Sequence, residues 1–338
     1  MSEPRLYVPP EWAPQEAVWV GWPHLRGEWG AAFQGARDEI AAFVRTLCKT
    51  TPTRIACGSR EAYGSAWFAL EGEISAGRVT LHTLPAGDIW LRDTGPIFAL
   101  SDNARVAMDF QFNGWGGKYV MAGDTMTASG ITSVEQAKRQ TWPFILEGGA
   151  VDLDGAGRLL TTRQCMLNAN RNPDWTLAIA EQTLKRAFGV NEIIWFGDGL
   201  ANDHTDGHID NIARFIGPGR VACHAPSGAD DPNARVYEMI YADLLRAGLE
   251  VVEIPSPGRI EGEHGDVMPA GHLNFLISNN HIFMPTYEDQ YAPAALAALE
   301  RALPGHKILG LPARNILLGG GSFHCMTQQV PRLTEDDT

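Results

Sequence analysis

The chain has 338 residues, 44% of them hydrophobic and 20% charged, with a formal net charge of −13 at pH 7. That balance is ordinary for a globular protein with a sizeable core. Its acidic sign disfavours nucleic acid and anionic membrane as partners and suits a cationic small molecule. No apolar run approaches the ~20 residues of a membrane helix, and the opening Met1-Ser2-Glu3-Pro4-Arg5 lacks the basic and apolar regions of a signal peptide. Five cysteines at scattered spacing form neither a disulfide framework nor a CxxC metal site. Together these features predict a cytoplasmic protein with reduced thiols.

In chain order, the apolar run 17–22 reads as a buried strand. Residues 31–49 read as an amphipathic helix, with Phe33, Ala36, Ile40, Phe43, Val44 and Leu47 on one face. A short strand over 54–58, a helix over 61–73 and an alternating strand over 79–84 follow. Further helices are predicted at 133–140, 174–188, 233–247 and 293–303. Further strands are predicted at 97–100, 192–196, 211–215, 220–223, 250–254, 273–278, 281–284, 307–310 and 315–318. Asn279-Asn280 between two of these reads as a hairpin turn. Strand pairs alternate with single helices at intervals of about 45–65 residues, a rhythm that suits a radial array. Length alone favours two domains. The lack of a linker or a compositional break favours one, spanning 1–338.

Five polar stretches could carry chemistry. In Asp88-Ile89-Trp90-Leu91-Arg92-Asp93-Thr94-Gly95-Pro96, carboxylates beside an indole offer a planar cation hydrogen bonds at its edge and a π face; an Arg92–Asp pair with Trp90 in the core is the plainer reading. Glu147-Gly148-Gly149 ends an apolar run and could be a simple turn. The segment from Gly197 to Asn211 is the densest ionisable cluster. Within it, His208 and Asp210 share a face if the backbone is extended and form a candidate acid–base pair. A zinc site on His204, His208 and Asp210 is the rival reading. Glu261-Gly262-Glu263-His264-Gly265-Asp266 is a candidate rim loop or second metal site. Finally, Ile316-Leu317-Leu318, read as a buried strand, leads into Gly319-Gly320-Gly321-Ser322-Phe323-His324-Cys325, where a glycine turn could present a thiol to a pocket. Taken alone, Cys325 would read as a small core residue. Cys48, Cys57, Cys165 and Cys223 read as inert, Cys165 because no acid or base lies near it in sequence.

These stretches, with Asn168-Ala169-Asn170-Arg171-Asn172-Pro173, occur in the order found in agmatine deiminases and the Porphyromonas-type peptidylarginine deiminases. The chain resembles that family from Glu11-Trp12 to Gln328-Gln329, nearly its full length. The resemblance implies an α/β fold: a five-bladed pseudo-symmetric propeller (pentein) of ββαβ units around a central site. It implies a hydrolase that deiminates a guanidine without metal or cofactor. Agmatine is the first substrate expected, giving N-carbamoylputrescine and ammonia and so feeding putrescine and polyamine metabolism. A peptidylarginine or another guanidine is the alternative. By the same resemblance Cys325 is the nucleophile and His208 the general acid and base. Asp93 and Asp210 grip the guanidinium, Glu147 orients His208, and Trp90 lines the pocket. Two departures bear on the substrate's far end: Ser322-Phe323 replaces a common Asn-Ile, and His204 replaces a common acid that could meet a distal amine. A His/Asp metallohydrolase and a non-catalytic binder of cationic metabolites stay open as competing readings, as does assembly into a homo-oligomer.

Overall fold

Antiparallel strand pairs, each followed by a single amphipathic helix, need not join into one long sheet. They are distributed instead over five small sheets in the computed structural model, which describes residues 6–101, 104–262 and 264–333. The strands in chain order are β1 (Gln15–Trp22), β2 (Thr53–Cys57), β3 (Val79–Thr83), β4 (Ile97–Ser101), β5 (Ala104–Gln111), β6 (Lys138–Ile145), β7 (Val151–Leu153) and β8 (Arg158–Thr162). They continue as β9 (Glu192–Phe196), β10 (Ala213–Gly217), β11 (Arg220–Ala225), β12 (Glu250–Pro255), β13 (Leu276–Ser278), β14 (His281–Thr286), β15 (Lys307–Pro312) and β16 (Thr327–Pro331).

Four sheets repeat one plan: β4-β5-β6, β7-β8-β9, β10-β11-β12 and β13-β14-β15. In each, two strands pair antiparallel and a helix carries the chain to a third, parallel strand. The fifth sheet, β16-β1-β2-β3, joins the two ends of the chain, because β16 pairs antiparallel with β1. It carries an additional helix and strand, Arg60–Ser75 and β3. The result is the five-bladed α/β propeller, or pentein fold.

The helix Phe33–Leu47 buries every member of its predicted apolar face. There Phe43 stacks on Phe323 at 4.6 Å and meets Phe283 edge-on at 5.6 Å. Phe323 is fully buried, so the departure noted at this position faces the core rather than a substrate. A buried Phe contributes about 1.5–3 kcal/mol. Here that energy anchors the loop two residues before Cys325. The Asn279-Asn280 turn is present, with φ of 43° and 64° at the two residues, as a tight hairpin requires.

Four predicted elements are corrected. The stretch 315–318 is the end of a helix, Arg314–Leu318, and not a strand. Glu39 on the neighbouring helix accepts the backbone N–H groups of Asn315 and Ile316 at 2.9 Å each, capping the turn from outside. The helix placed at 133–140 runs over Asp124–Glu135, stops at Gln136 (φ 52°), and gives way to β6. The strand placed at 211–215 starts two residues later, because Ile209–Asn211 forms a 3-10 turn. The strand placed at 273–278 keeps only Leu276–Ser278. No helix among the described residues is long and apolar enough to cross a membrane, and all five cysteines are unpaired. Residues 1–5 and Glu263, on which two of the sequence readings fall, lie outside the described residues.

Candidate active site

Each passage from one blade to the next delivers a polar group to the centre of the ring. Asp93 lies between β3 and β4, Glu147 between β6 and β7, and His208 with Asp210 between β9 and β10. Asn274 lies between β12 and β13, and Cys325 between β15 and β16. Fivefold repetition of the blade is thus what gathers residues that are far apart in sequence.

The clearest measure of that gathering is Gly149. A Cβ built there would stand 2.6 Å from His208 Nδ1, 2.9 Å from Asp210 Oδ2 and 3.0 Å from Asp93 Oδ1. Only a glycine fits. Its N–H donates to Asp93 Oδ1 at 3.0 Å, and Trp115 Nε1 donates to the other oxygen at 2.9 Å, so the Asp93 carboxylate is fixed in orientation. Cys325 Sγ accepts a hydrogen bond from Asn274 Nδ2 at 3.0 Å and lies 3.7 Å from Asp210 Oδ2. Asn274 Oδ1 in turn accepts the backbone N–H groups of His324 and Cys325. One amide therefore holds both the thiol and the turn that presents it. Gly321 lets that turn pass the Trp90 ring, whose nearest carbon would be 2.6 Å from a Cβ. The backbone N–H of Arg92 binds the carbonyl of Cys325 at 3.0 Å, tying the Trp90–Asp93 segment to the same loop.

Behind the thiol is a second layer of charge. His324 bonds Asp210 Oδ2 through Nδ1 and Glu11 Oε2 through Nε2, both at 2.8 Å. Glu11 also receives Arg214 at 2.7 Å and the N–H of Ile277. The layer leaves Asp210 Oδ1 uncommitted: among the described residues this atom, both ring nitrogens of His208 and Glu147 Oε2 are buried without a hydrogen-bond partner. Glu147 spends its other oxygen on Arg171 Nε at 2.7 Å. Buried polar atoms are almost always paired, so these four unpartnered atoms, on three residues of the same centre, are available to a polar group.

Electrostatics follow from burial among carboxylates. Burial alone would push the His208 imidazolium toward losing its proton. The carboxylate of Asp93, then the Cys165 sulfur and Glu147, overrule it and hold the imidazole well above its usual value. Burial pushes the Cys325 thiol well above its usual value, Asp210 and Asp93 add to that, and the N–H of Ser322 and Asn274 pull it back. Asp93 is raised by burial, against the pull of His208. Burial would raise Asp210 too, but the hydrogen bond and charge of His324 hold it below the usual range.

A cavity of about 150 Å³ opens onto this centre, lined by Trp29, Trp90, Trp115 and Tyr119 and ending at Cys325 and Asp93. Trp90 stacks on Trp29 at 5.9 Å. Asp88, 7% exposed, lines the same cavity and accepts Trp29 Nε1 at 3.0 Å; burial raises its carboxyl to about 6. His204 is exposed at the rim, held by Tyr119 Oη at 3.1 Å, with Lys118 on its carbonyl. Glu261 and Val267 form an antiparallel bridge, and Gly262, His264 and Asp266 line a neighbouring cavity with His204.

The structure thus brings together Cys325, His208, Asp210, Asp93, Glu147 and Trp90, and leaves His204 at the mouth. It does not assemble the zinc trio. Among the described residues the only group of three or more histidine, cysteine and carboxylate donors that all lie within 4.8 Å of one another is Glu147, Cys165 and His208, not His204, His208 and Asp210. Sequence reading missed Asn274, Glu11 and the placement of Cys165 beside Glu147 and His208. Asn274 had a usable signal, a lone amide interrupting the apolar run Leu273–Ile277 at the one blade junction with no assigned residue.

A five-bladed propeller whose blade junctions converge on a cysteine, a histidine and acidic groups belongs to the pentein class of enzymes. Comparison with known proteins resolves the class further. The model of the Porphyromonas-type peptidyl-arginine deiminases matches residues 7–331, and the chain belongs to that family. The agmatine deiminase of Stutzerimonas stutzeri is 35% identical over 98% of this chain and 97% of its own length. Among solved structures, the agmatine deiminase of Enterococcus faecalis superposes with a TM-score of 0.91 at 28% identity, covering 97% of this chain and 96% of its own. The C. jejuni agmatine deiminase with substrate bound gives 0.91 at 28% identity, covering 99% of each chain.

Proposed function

We propose that this chain, acting as a single catalytic domain, is an agmatine deiminase, a hydrolase that converts agmatine to N-carbamoylputrescine and ammonia through a covalent intermediate on Cys325. The observation that carries the reading is the set of unpaired buried atoms on His208, Asp210 and Glu147, in the same centre as Cys325 and Asp93, which a cavity walled by indoles and acids reaches. A guanidinium is planar, cationic and rich in N–H donors. It suits Asp93 and Asp210 at its edges and Trp90 at its face.

Binding that cation changes the thiol. Burial, then the two carboxylates, keep Cys325 protonated; the guanidinium between those carboxylates offsets their part, so the substrate itself shifts the thiol toward thiolate. Sulfur attacks the central carbon, and the C–N bond to one terminal nitrogen breaks as the His208 imidazolium gives that nitrogen its proton. Ammonia departs and an amidino-thioether remains. Neutral His208 then takes a proton from water, the resulting hydroxide attacks the same carbon, and the C–S bond breaks to release the ureido product and thiolate. Holding carbon and sulfur together on rigid blade junctions removes much of the entropic barrier.

The substrate's tail points to agmatine over peptidylarginine. A distal ammonium meets the buried carboxylate of Asp88 and the exposed Glu28, both on the cavity wall. His204, at the rim, lies where a longer substrate would leave. Comparing kcat/KM for agmatine, arginine and a peptide ending in arginine, with wild type and Cys325→Ala, decides the question. Agmatine best by orders of magnitude, with no turnover by the variant, is expected. Equal use of the arginine peptide overturns the substrate, and turnover by the variant overturns the mechanism.

A further inference from the structure

We infer that Glu147, Cys165 and His208 form a binding site for a thiophilic divalent cation such as Zn²⁺, separate from the nucleophile, through which the metal inhibits the enzyme. The donor atoms of these three residues lie within 4.8 Å of one another, and all three residues are buried. They offer one thiolate, one imidazole and one carboxylate, a donor set suited to zinc, which leaves a fourth position for water.

Each donor is held in place, and Cys165 lies close enough to His208 for each to influence the other's proton, an interaction that a bound metal would replace. Glu147 keeps Oε2 free because Arg171 occupies only Oε1, and neither ring nitrogen of His208 has a hydrogen-bond partner among the described residues. Cys165 sits on the turn Arg163–Met166, whose first turn Thr162 caps by accepting the N–H of Cys165 at 3.3 Å. The same Thr162 hydroxyl donates to the carbonyl of Gly207 at 2.7 Å, fixing the cysteine turn to the loop that carries His208. Arg171 and Thr162 are thus the outer partners that a metal site needs to orient its ligands. The three donors belong to three different blade junctions or turns, and Cys325 is not among them.

Binding is an exchange of cations. The Cys165 thiol gives up its proton and the His208 imidazolium gives up one of its own, so a divalent ion enters as two protons leave. That His208 works as acid and base rests on the functional reading above. If it does, a metal on its ring removes the proton carrier and turnover stops. The binding itself does not depend on that reading.

The test uses Co²⁺ and Zn²⁺ added to the Cys325→Ser protein, which lacks the nucleophilic thiol. Co²⁺ is expected to bind at one equivalent with a sulfur-to-cobalt charge-transfer band, and zinc K-edge absorption is expected to show one sulfur in the coordination shell. Adding Cys165→Ser should abolish the band and weaken binding at least about tenfold. In protein with Cys325 intact, Zn²⁺ should suppress agmatine turnover reversibly, and Cys165→Ser should need at least about tenfold more Zn²⁺ for the same fractional loss. A sulfur-free shell in Cys325→Ser, or a band that survives Cys165→Ser, overturns the site. A band with unimpaired turnover overturns the inhibition and the acid–base role of His208 together, while leaving the site standing.

Discussion

Gly149→Ala offers a sharp internal test of the geometry, because it adds one methyl group at the point where three polar groups meet. That methyl would lie 2.6 Å from His208 Nδ1, 2.9 Å from Asp210 Oδ2 and 3.0 Å from Asp93 Oδ1. Ordinary van der Waals contact begins near 3.4 Å, so the imidazole must retreat by about 0.8 Å and the carboxylates by about half that. Such overpacking costs about 1–3 kcal/mol of stability. The catalytic cost is larger in proportion, since a displacement near 1 Å lowers the rate about 10²-fold. The assay is kcat for agmatine together with thermal unfolding. Gly72→Ala serves as the control: its methyl, on the exposed side of the helix Arg60–Ser75, meets nothing within 4 Å and should add about 0.5–1 kcal/mol of stability. A Gly149→Ala protein that keeps its stability and most of its kcat would show that His208, Asp210 and Asp93 do not need the positions described.

Three further outcomes follow from neighbouring contacts. Asn274→Ala removes the donor to Cys325 and the acceptor for two backbone N–H groups, and should lower kcat about 10²–10³-fold, in line with loss of a fixed donor at a reacting atom; a loss under about threefold, measured in single turnovers, refutes its role. Asp88→Asn should raise KM for agmatine about tenfold or more while leaving turnover of a guanidine without a distal amine unchanged. Parallel loss with both substrates would mean that Asp88 supports the fold, not the tail. Glu11 is held far below the usual carboxylate range by Arg214 and His324, against burial. A lowered folded value means that its contribution is present above about pH 4.3 and is lost as pH falls toward the folded value. Glu11→Gln should therefore cost about 3–5 kcal/mol at pH 7 in chemical denaturation, with the gap from wild type narrowing below pH 4; a gap independent of pH contradicts the assignment.

The sequence made the propeller rhythm legible because amphipathic periodicity is a local property. The helix Phe33–Leu47 and the strand β9 need no tertiary information to be seen. It misled at Asn315–Leu318, where the deciding cap comes from Glu39 on another helix. At the site, His208, Asp210 and Asp93 stand in dense polar motifs, whereas Cys325 alone reads as a core residue and Glu147 as a turn, and only the family resemblance assigns them. Asn274 and Glu11 were not visible, because each acts through one side chain set in apolar or ordinary surroundings. Cys165 looked inert for a related reason: its partners Glu147 and His208 are brought to it only by closure of the ring.

The account depends on sulfur at Cys325 becoming bonded to the carbon of the guanidine. Rapid acid quench of enzyme mixed with excess agmatine, followed by mass analysis of the peptide carrying Cys325, measures that bond directly. The prediction is an adduct of agmatine less ammonia on Cys325, formed and consumed at rates compatible with turnover and missing from Cys325→Ser. Full turnover without any such adduct, or the adduct on another residue, contradicts it.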